Sequence, residues 1–481
     1  MILHNLEQFE IPEFIIIGSG PAGITLALEL EKQNKRVLII EGGSEEETDS
    51  DRNRNLGEVI GDKYFDLRDS RARMFGGTSN KWGGACAPLD NPDFKEWPIE
   101  KKDLDIYENQ TKKILNINND FIKYKNSDFN SFQISSILYS DVNFSFNYLD
   151  HVKKSNKIFL LLNNSLLFFG TNQSGKQIKK LFLKNKSKEE MIDLKIDTKI
   201  ILACGGIENS RILLWAREKS NNNFLQELPI GRYWMEHPSG EIGQFISKVD
   251  DIKKIFEPLS LLSNTDPLDL FLVPKKKFLE ENQINNLRLS LVYPATNDEL
   301  NYKDYLKDLI CLAPNFTRKF IDRFSDDNFF CSSQVKFSAE QKPDYNNFVS
   351  LSDNSVDDLG IPRVKLKWEI KDHVFIALKK CLEQLGKEAI DLNIGRIGID
   401  QSVYDQSFKK SKEIYANHHH MGGTIITSQE RKGVVDANLK VLNTENLYVL
   451  GSSVFPSGGH FNPTFTIVQL SLRLANHFKN I

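Results

Sequence analysis

The sequence predicts an α/β protein, α+β overall, in which a parallel-sheet unit is joined to a second domain of sheet and helices. Short apolar runs that suit strands buried on both faces stand at residues 14–17, 36–40 and 446–450, each beside a helical pattern. Between residues 156 and 201, short apolar and alternating runs, beginning with IFLLL, predict a small antiparallel meander. A length of 481 residues favours two or three structural units.

The strongest motif is the run FIIIGSGPAG, in which an apolar strand leads into Gly18, Gly20 and Gly23 in G-x-G-x-x-G spacing. Gly18 permits a sharp turn, Gly20 lets the backbone approach a pyrophosphate, and Gly23 lets the following helix pack closely on the sheet. Pro21 suits a first helical turn, which leaves the positive helix end open to phosphate. An ordinary glycine-rich turn is the alternative, but the pattern favours a dinucleotide.

The next predicted strand ends in Glu41. This position is about where an acid accepts hydrogen bonds from the ribose hydroxyls of a bound adenosine. Strand, helix, strand and terminal acid together predict a Rossmann-like dinucleotide-binding unit, because each part of the pattern stands in register with the others.

The composition excludes several classes of protein. The formal net charge of −3 gives no general attraction to nucleic acid or to anionic membranes. The first residues lack a basic stretch followed by an apolar one, and no apolar run reaches the roughly 18 residues that span a bilayer. We therefore expect a cytoplasmic protein without a transmembrane segment. Five scattered cysteines without C-x-x-C pairing argue against disulfides and a zinc site.

Two more glycine-rich segments are candidates for the same ligand. Residues 71–90, RARMFGGTSNKWGGACAPLD, combine glycines with small polar side chains, as in a loop laid against a flat ligand. A surface loop rich in turn residues is the alternative. A buried-type strand at residues 199–203 ends in Gly205 and Gly206, which either lie beside the dinucleotide or form a structural turn into a helix.

The long middle of the chain, from residue 241 to about 417, lacks such turns and is assigned to a second domain. Helices are predicted at residues 102–114 and 373–385, and strands at 287–292, 332–337, 348–352 and 364–368. Residues 302–324 predict two amphipathic helices, with Phe316 in an aromatic stripe. Packing of that stripe within its own domain is favoured over docking on a membrane or a partner subunit.

The segment NHHHMGGT at residues 417–424 carries the most unusual local composition. Consecutive side chains diverge, and neither an i, i+4 pair nor nearby cysteines support a metal, so we expect none. One histidine acting as a base is the better interpretation, because an imidazole titrates near neutrality. Further on, Asn462 and Pro463 predict a helix start whose positive end would stabilise negative charge on a ligand; capping alone also explains Asn462.

Together these motifs resemble the glucose-methanol-choline (GMC) oxidoreductases, especially their bacterial sugar and polyol dehydrogenase and pyranose 2-oxidase-like branch. The resemblance spans the chain in family order and rests on GSGPAG with Glu41, GGTSNKWGG, ILACGGIENSRILL, GRYWMEHP, EQKPDYNNFVSLSDNSVDDLGIP, HHHMGGT, GVVDANLKV and GSSVFPSGGHFNPT. It implies FAD and the catalytic oxidation of alcohols. His420 matches the family's catalytic histidine in H-x-x-G-T, whereas His418 and His419 are out of register. Asn462 matches the second active-site position, and His460 is a less certain neighbour.

The resemblance also assigns the cofactor-binding residues. A histidine tethers the flavin covalently in some pyranose oxidases, but Lys81 stands at that position here, so we expect non-covalent FAD. The predicted FAD-binding residues are Gly18, Ser19, Gly20, Pro21, Ala22, Gly23, Glu41, Gly42, Gly76, Gly77, Thr78, Ser79, Asn80, Trp82, Gly83, Gly84, Ala203, Gly205, Gly451, Ser452, Asn462, Pro463 and Thr464.

The implied domain plan places FAD-binding segments at residues 1–120, 121–240 (with the meander and a second flavin-contacting turn) and 425–481. Residues 241–424 would form the substrate-binding domain.

The implied reaction oxidises a CH–OH group of a sugar or polyol to a ketone or aldehyde, with proton transfer to a histidine and hydride transfer to flavin N5. The alternatives are a non-sugar alcohol as substrate, a flavoprotein lyase without net redox chemistry, and a flavin subunit that passes electrons to a cytochrome partner. The sequence leaves the electron acceptor open among oxygen, a quinone and a redox protein. No nucleic-acid partner is expected.

Overall fold

The computed structural model describes residues 1–121, 125–126, 128–185, 188–246, 268–292, 333–405, 407 and 414–479. The amphipathic helices predicted at residues 302–324 lie outside these ranges, as do two of the five cysteines. The strands are β1 (Ile2–Leu3), β2 (Phe14–Ile17), β3 (Val37–Ile40), β4 (Gly57–Gly61), β5 (Ala85–Cys86), β6 (Lys125–Asn126), β7 (Phe132–Tyr139), β8 (Ile158–Leu161), β9 (Ser165–Thr171), β10 (Ile178–Lys184), β11 (Glu189–Asp193), β12 (Lys199–Leu202), β13 (Ser239–Ile246), β14 (Leu268–Pro274), β15 (Leu287–Val292), β16 (Ser333–Ala339), β17 (Phe348–Val356), β18 (Pro362–Trp368), β19 (Arg396–Ile399), β20 (Ile414–Tyr415) and β21 (Leu447–Val449).

Helices connect and cover these strands. They are α1 (Pro21–Lys32), α2 (Asp49–Arg54), α3 (Lys102–Asp105), α4 (Glu108–Ile114), α5 (Phe144–Lys154), α6 (Gly205–Lys219), α7 (Lys276–Asn282), α8 (Asp372–Asp391), α9 (Gln401–Asp405) and α10 (Thr464–Lys479). Short 3₁₀ helices occupy Gly77–Lys81, Asn91–Glu96 and Ser452–Val454.

A parallel sheet in the order β1-β8-β3-β2-β12-β21 forms the first layer of the fold. Its central strands β2 and β3 are buried along their whole length, and α1 and α10 pack against each other beside them. This explains why the predicted strands at residues 14–17 and 36–40 are continuously apolar, since helices cover a parallel sheet on both faces. The predicted α/β class is confirmed.

The antiparallel meander is present but smaller than predicted. It consists of β9, β10 and β11, in the order β11-β10-β9. The IFLLL run, which we expected to open the meander, forms β8 and pairs in parallel with β3 and β1. Each residue of β8 is buried, so this strand has the two-sided burial of a parallel sheet and no solvent face to make its sequence alternate.

An antiparallel sheet in the order β19-β13-β16-β15-β14-β7-β5 forms the second layer, with β20 paired to β13 and β6 to β7. The apolar face of α8 packs in the same core as this sheet. The predicted strand at residues 287–292 is confirmed as β15, and the other predicted strands correspond to β16, β17 and β18. The predicted helix at 373–385 is the central part of the longer α8, whereas the helix predicted at 102–114 is divided into α3 and α4.

A smaller sheet links the two layers. Its strand β4 pairs in parallel with β18, and β17 and β18 form an antiparallel hairpin. The tip of that hairpin reaches α6, where Arg211 donates a hydrogen bond of 2.6 Å to Asp357. Asp357 in turn accepts the backbone N–H groups of Leu359 and Ile361 at 2.9 and 3.0 Å, which fixes the turn. The Arg211 and Asp357 side chains are 2% and 1% exposed.

This buried ion pair gives a stability prediction. Replacing Arg211 by Met should lower the free energy of unfolding by about 3–5 kcal/mol, because the carboxylate of Asp357 would stay buried without its charged partner. Thermal and urea unfolding of the purified protein would measure the change. The matched control is Arg68→Gln, which breaks the exposed pair of Arg68 with Asp66 and should leave the unfolding midpoint unchanged. Equal effects of the two substitutions would contradict this interpretation.

Candidate active site

A cavity of about 460 Å³ lies at the carboxyl ends of the parallel strands. Residues just after β2, β3, β8, β12 and β21 line it, as expected for ligand sites of open α/β sheets. Every predicted site residue lines this cavity except Gly23, Gly76, Asn80 and His460.

The glycine-rich turn after β2 is built by close backbone contacts. A Cβ at Gly18, where φ is +101°, would lie 2.6 Å from the carbonyl oxygen of Ala203 at the end of β12. A Cβ at Gly23 would lie 2.1 Å from the carbonyl oxygen of Gly18. Gly23 therefore acts through helix packing, as the motif predicts, and has no need to face the cavity.

Gly76 and Asn80 shape the next loop without facing the cavity. Gly76 adopts a left-handed conformation, with φ of +85°, at the start of the 3₁₀ helix. The side-chain amide of Asn80 donates hydrogen bonds to the carbonyls of Phe75 and Gly77 at 2.8 and 2.9 Å. Gly76 and Asn80 thus support neighbours such as Gly77 and Thr78, which line the cavity, and their own contact with the cofactor stays a prediction.

Other glycines expose their backbone along one wall of the cavity, which is called the floor below. A Cβ at Gly20, Gly83, Gly205 or Gly451 would meet no heavy atom of the described residues within 4 Å. All four line the cavity, so their backbones are open to a ligand that lies close and flat against them. This is the cradle that a cofactor with fused rings and a pyrophosphate requires.

Glu41 lies at the rim of the same floor. Its carboxylate accepts hydrogen bonds from the N–H of Ser19 at 3.0 Å, the hydroxyl of Ser19 at 2.7 Å and the N–H of Gly43 at 2.9 Å. A carboxylate offers about four acceptor positions, so capacity remains for a ribose hydroxyl. The protein donors hold the carboxylate in place for that contact.

The residues that line the far end of this cavity were not predicted from the sequence. Leu167, Trp215, Leu359 and Ile361 line it with apolar surface, and the buried hydroxyl of Ser165 has no hydrogen-bond partner among the described residues. These residues come from β9, α6 and the β17–β18 hairpin, which are distant in sequence. The apolar run that ends near residue 161 could have indicated these residues. Residues that follow a parallel strand lie at the carboxyl edge of the sheet, where ligands bind.

An arginine cluster near Gly42 was also missed. Glu208 accepts hydrogen bonds from Arg71, Arg73 and Arg211 at 3.0–3.1 Å. Burial opposes ionisation of Glu208, but the three guanidinium groups outweigh it and lower the pKa of this carboxyl well below its usual value. Both Arg71 and Arg73 line the cavity, so they bring positive charge to a region where a pyrophosphate would bind.

The histidine turn closes the opposite end of the cavity. Its backbone is held by α6, where a Cβ at Gly206 would lie 2.2 Å from the carbonyl oxygen of His420. The hydroxyl of Ser452 donates to that same carbonyl at 2.6 Å, and Met421 pairs with Met235 through both backbone hydrogen bonds. The position of the His420 backbone is therefore fixed from two sides.

The His420 ring lies in an aromatic setting. The centroids of Trp234 and Tyr64 lie 5.9 and 6.2 Å from its own. Its Nε2 is buried and has no hydrogen-bond partner in the part of the chain that the structure describes. Burial, together with the charge of Arg71, lowers the pKa of His420 to about 3, so the ring is neutral at pH 7 and its lone pair is available.

Glu236 anchors the residues on both sides of this turn. Its buried carboxylate accepts the backbone N–H of His419 at 2.8 Å, the backbone N–H of His237 at 2.9 Å and the hydroxyl of Tyr64 at 2.7 Å. Burial raises the pKa of Glu236 to about 7. The motif GRYWMEHP contributed to the family resemblance, but no role was predicted for Glu236 or His237.

The segment before α10 supplies the remaining polar group. Asn462 lines the cavity, and its side-chain oxygen accepts a hydrogen bond from Arg288 at 3.4 Å. Arg288 also donates to the carbonyl of His460 at 2.9 Å. The His460 ring is fully buried behind the cavity lining, and neither of its nitrogens has a partner among the described residues. The helix itself begins at Thr464, two residues after Asn462.

Comparison with known protein families decides the identity of this fold. A family model described as FAD binding domain matches residues 13–51, and one described as GMC oxidoreductase matches residues 343–471. The C-terminal part of the chain thus matches the GMC oxidoreductases. FAD is the cofactor of this protein, and the open glycine floor, the Glu41 carboxylate and the nearby arginines fit it.

Three individual proteins are also similar to this chain. The large subunit of fructose dehydrogenase from Gluconobacter japonicus is 24% identical over 288 residues, which cover 58% of this chain and 47% of that relative. The match thus spans less than half of the relative's length. Pyridoxine 4-oxidase from Mesorbium loti superposes with a TM-score of 0.60 at 14% identity, covering 98% of this chain and 100% of that one. Formate oxidase gives 0.59 at 14% identity, with 98% of both chains covered. These structures show a shared fold.

Neither a metal cluster nor a membrane-spanning helix occurs in the part of the chain that the structure describes. In the described ranges, no three or more histidine, cysteine, aspartate or glutamate side chains are arranged to hold a metal ion. None of the helices in those ranges is both long and apolar enough to cross a bilayer.

Gly20 and Gly23 of the motif should respond differently to the same substitution. Gly23→Ala should destabilise the apo-protein by about 1–3 kcal/mol, because its Cβ would overlap the Gly18 carbonyl. Gly20→Ala should leave apo-protein stability unchanged but weaken FAD binding about tenfold or more, since its Cβ would enter the cavity. Thermal unfolding of the apo-proteins and FAD titration followed by flavin fluorescence would measure these effects. Unchanged FAD affinity in Gly20→Ala would contradict the assigned cradle.

Proposed function

We propose that this protein oxidises a CH–OH group of a sugar or polyol to a ketone or aldehyde, with His420 as the base. The observation that carries the proposal is the buried Nε2 of His420, which lacks a partner among the described residues and belongs to a residue that lines the cavity. A buried lone pair without a donor is costly, so such a nitrogen is suited to a ligand that brings the donor. A substrate hydroxyl is such a donor.

His420 would remove the hydroxyl proton as the alcohol is oxidised. FAD, when bound, supplies the acceptor for the hydride from the same carbon. The neutral imidazole has one free lone pair, and the surrounding Trp234 and Tyr64 keep bulk water from competing for it. The fixed backbone of His420 reduces the reorganisation needed to reach the substrate.

Asn462 would act as the second polar contact of the substrate. Its side-chain oxygen is directed by Arg288, which leaves its amide N–H groups as donors toward the cavity. Such donors suit the substrate oxygen. His460 lies behind this segment, so any effect of His460 on the reaction would pass through the backbone that carries Asn462.

We further propose that FAD is bound without a covalent link. Lys81, at the position of the tethering histidine in some pyranose oxidases, pairs with Glu47 at 2.7 Å. The ion pair engages the lysine side chain, and no histidine stands at this position to form the link. Acid precipitation of the yellow protein should therefore leave FAD in the supernatant, and flavin retained in the pellet would contradict this proposal.

The sugar or polyol class is supported by the partial similarity to fructose dehydrogenase. The competing readings are a non-sugar alcohol and a lyase without net redox chemistry. Anaerobic mixing of the holoenzyme with D-fructose, D-sorbitol and simple alcohols separates these three, because only an oxidised substrate bleaches the flavin. Recolouring by oxygen, or only by a quinone or redox protein, then identifies the electron acceptor.

The role of His420 has a direct kinetic test. His420→Ala should retain FAD but slow flavin reduction by substrate at least ~100-fold, the lower range for loss of a general base. The matched control is His151→Ala, which removes an exposed histidine paired with Glu31 and should reduce its flavin at the normal rate. Rapid-mixing absorbance under argon would measure both. Near-normal reduction in His420→Ala would exclude His420 as the base.

The pH dependence should reflect the lowered pKa of His420. The base is active when neutral and is lost by protonation as pH falls, so a pKa of about 3 predicts no decline in the reduction rate through pH 6.5. An unperturbed histidine would lose about half its activity there. Glu236, whose pKa is about 7, is the competing titrating group. A decline near pH 6.5 that persists in Glu236→Gln would contradict the neutral, buried state of His420.

A further inference from the structure

We infer that the tip of the β17–β18 hairpin, residues 356–362, is a clamp that closes the adenosine end of the cavity and limits how fast FAD leaves. This inference concerns retention of the cofactor and is independent of the proposed oxidation. The tip belongs to the segment assigned to the second domain, so the clamp would also tie that domain to bound FAD. Its position, its ion pairs and a bulge behind it give the tip this role.

The tip forms a wall of the cavity on the side of Glu41. The backbone N–H of Asn164 donates to the carbonyl of Glu41 at 3.0 Å, which places the start of β9 beside the carboxylate predicted to bind ribose. From β9, Leu167 packs with Leu359 and Ile361 of the tip in a small buried cluster. All three of these apolar residues line the cavity. An adenosine bound near Glu41 would therefore lie against the tip.

Little apolar packing holds the tip in this position. Its cluster is separate from the two main cores of the described residues, and the side chains that pack against it are only partly buried, namely those of Phe168, Phe182 and Trp215. Residues 353–356, which lead into the tip, are exposed. The attachment of the tip therefore depends largely on polar contacts.

Two ion pairs fasten the tip to the helices that follow β3 and β12. Arg211 of α6 donates to Asp357 at 2.6 Å, and both side chains are buried. Arg54 of α2 donates to the two oxygens of Asp358 at 2.7 and 2.8 Å, a forked geometry that strengthens such pairs. Hydrogen bonding to Arg54 lowers the pKa of Asp358. The Asp358 side chain is 44% exposed, so this pair can open toward solvent.

The hairpin can bend behind the tip. The pairing of β17 with β18 passes from Leu351 opposite Val364 to Val356 opposite Pro362, so a bulge interrupts the ladder there. Beyond the bulge, the carboxylate of Asp357 accepts two backbone N–H groups of the turn. The tip is thus a preformed unit beyond a break in the hairpin. Loosening its ion pairs would let it move without unfolding the sheet.

A clamp and a fixed wall differ in their effect on binding kinetics. If FAD enters and leaves the adenosine end only while the tip is open, loosening the tip raises both the association rate and the dissociation rate. Removing a contact from a fixed wall raises the dissociation rate alone. Because the pair of Arg54 and Asp358 is partly exposed, salt should weaken it and speed the release of FAD.

The clamp is tested on the purified holoenzyme and apo-protein with FAD itself as the probe. Asp358→Asn should release FAD about fivefold faster than the wild type after dilution, and should also bind FAD faster, as stopped-flow flavin fluorescence would measure. Salt should speed release from the wild type more than release from Asp358→Asn. The matched control is Glu241→Gln, which removes a carboxylate of similar exposure paired with Lys336 and should leave both rates unchanged.

Hydrogen exchange followed by mass spectrometry measures opening of the tip directly. The peptide that contains residues 356–362 should exchange faster in the Asp358→Asn holoenzyme than in the wild type, by about the factor by which FAD release increases. Asp357→Asn should have a larger effect on both rates, and if it does not fold, Asp358→Asn decides alone. Faster exchange with unchanged FAD release, unchanged exchange, or faster release with an unchanged association rate would each overturn the inference.

Discussion

Close backbone contacts at three glycines hold the first helix, the parallel sheet and the histidine turn together. Gly23 lies against the Gly18 carbonyl, Gly18 against the end of β12, and Gly206 against the backbone of His420. At each place a Cβ would overlap a carbonyl oxygen within 2.6 Å. The first two contacts set the nucleotide-binding turn, and the third fixes the histidine turn on α6. Because α6 begins at the carboxyl end of β12, one parallel sheet positions both ends of the cavity.

At the histidine end of the cavity, the imidazole rings are buried without a carboxylate partner among the described residues, and this lowers their pKa values. His237 and His420 are kept neutral by their surroundings, and no described carboxylate forms a side-chain ion pair with either ring. Glu236 contacts backbone N–H groups of this region and a tyrosine hydroxyl, so it orients the chain without charging the imidazoles. The opposite end of the cavity is different, since arginines clustered on Glu208 supply positive charge there. Arg71 acts on both parts of the cavity, because it pairs with Glu208 and its charge also lowers the pKa of His420.

The sequence predicted the features that depend on local backbone geometry. The turn at Gly18, the strand ending at Glu41 and the strand at residues 287–292 follow from glycine spacing and apolar runs, which short segments encode by themselves. It failed for β8, whose apolar run fits a meander or a parallel sheet equally well until its neighbours are known. The roles of His237, Glu236 and Trp215 were not predicted either. They depend on contacts between residues that lie more than a hundred positions apart in the sequence. Gly76 and Asn80 were assigned to the cofactor by motif, yet they stabilise the loop that faces it.

We propose that one cavity holds FAD so that its reactive ring lies beside His420, and a crystal structure of the holoenzyme is the decisive test. We expect adenosine near Glu41 and Trp215, the pyrophosphate over Gly20, and the isoalloxazine at the histidine end, with room for one substrate carbon between the ring and Nε2 of His420. An isoalloxazine bound elsewhere, or a His420 ring turned away from it into packed protein, would rule this arrangement out.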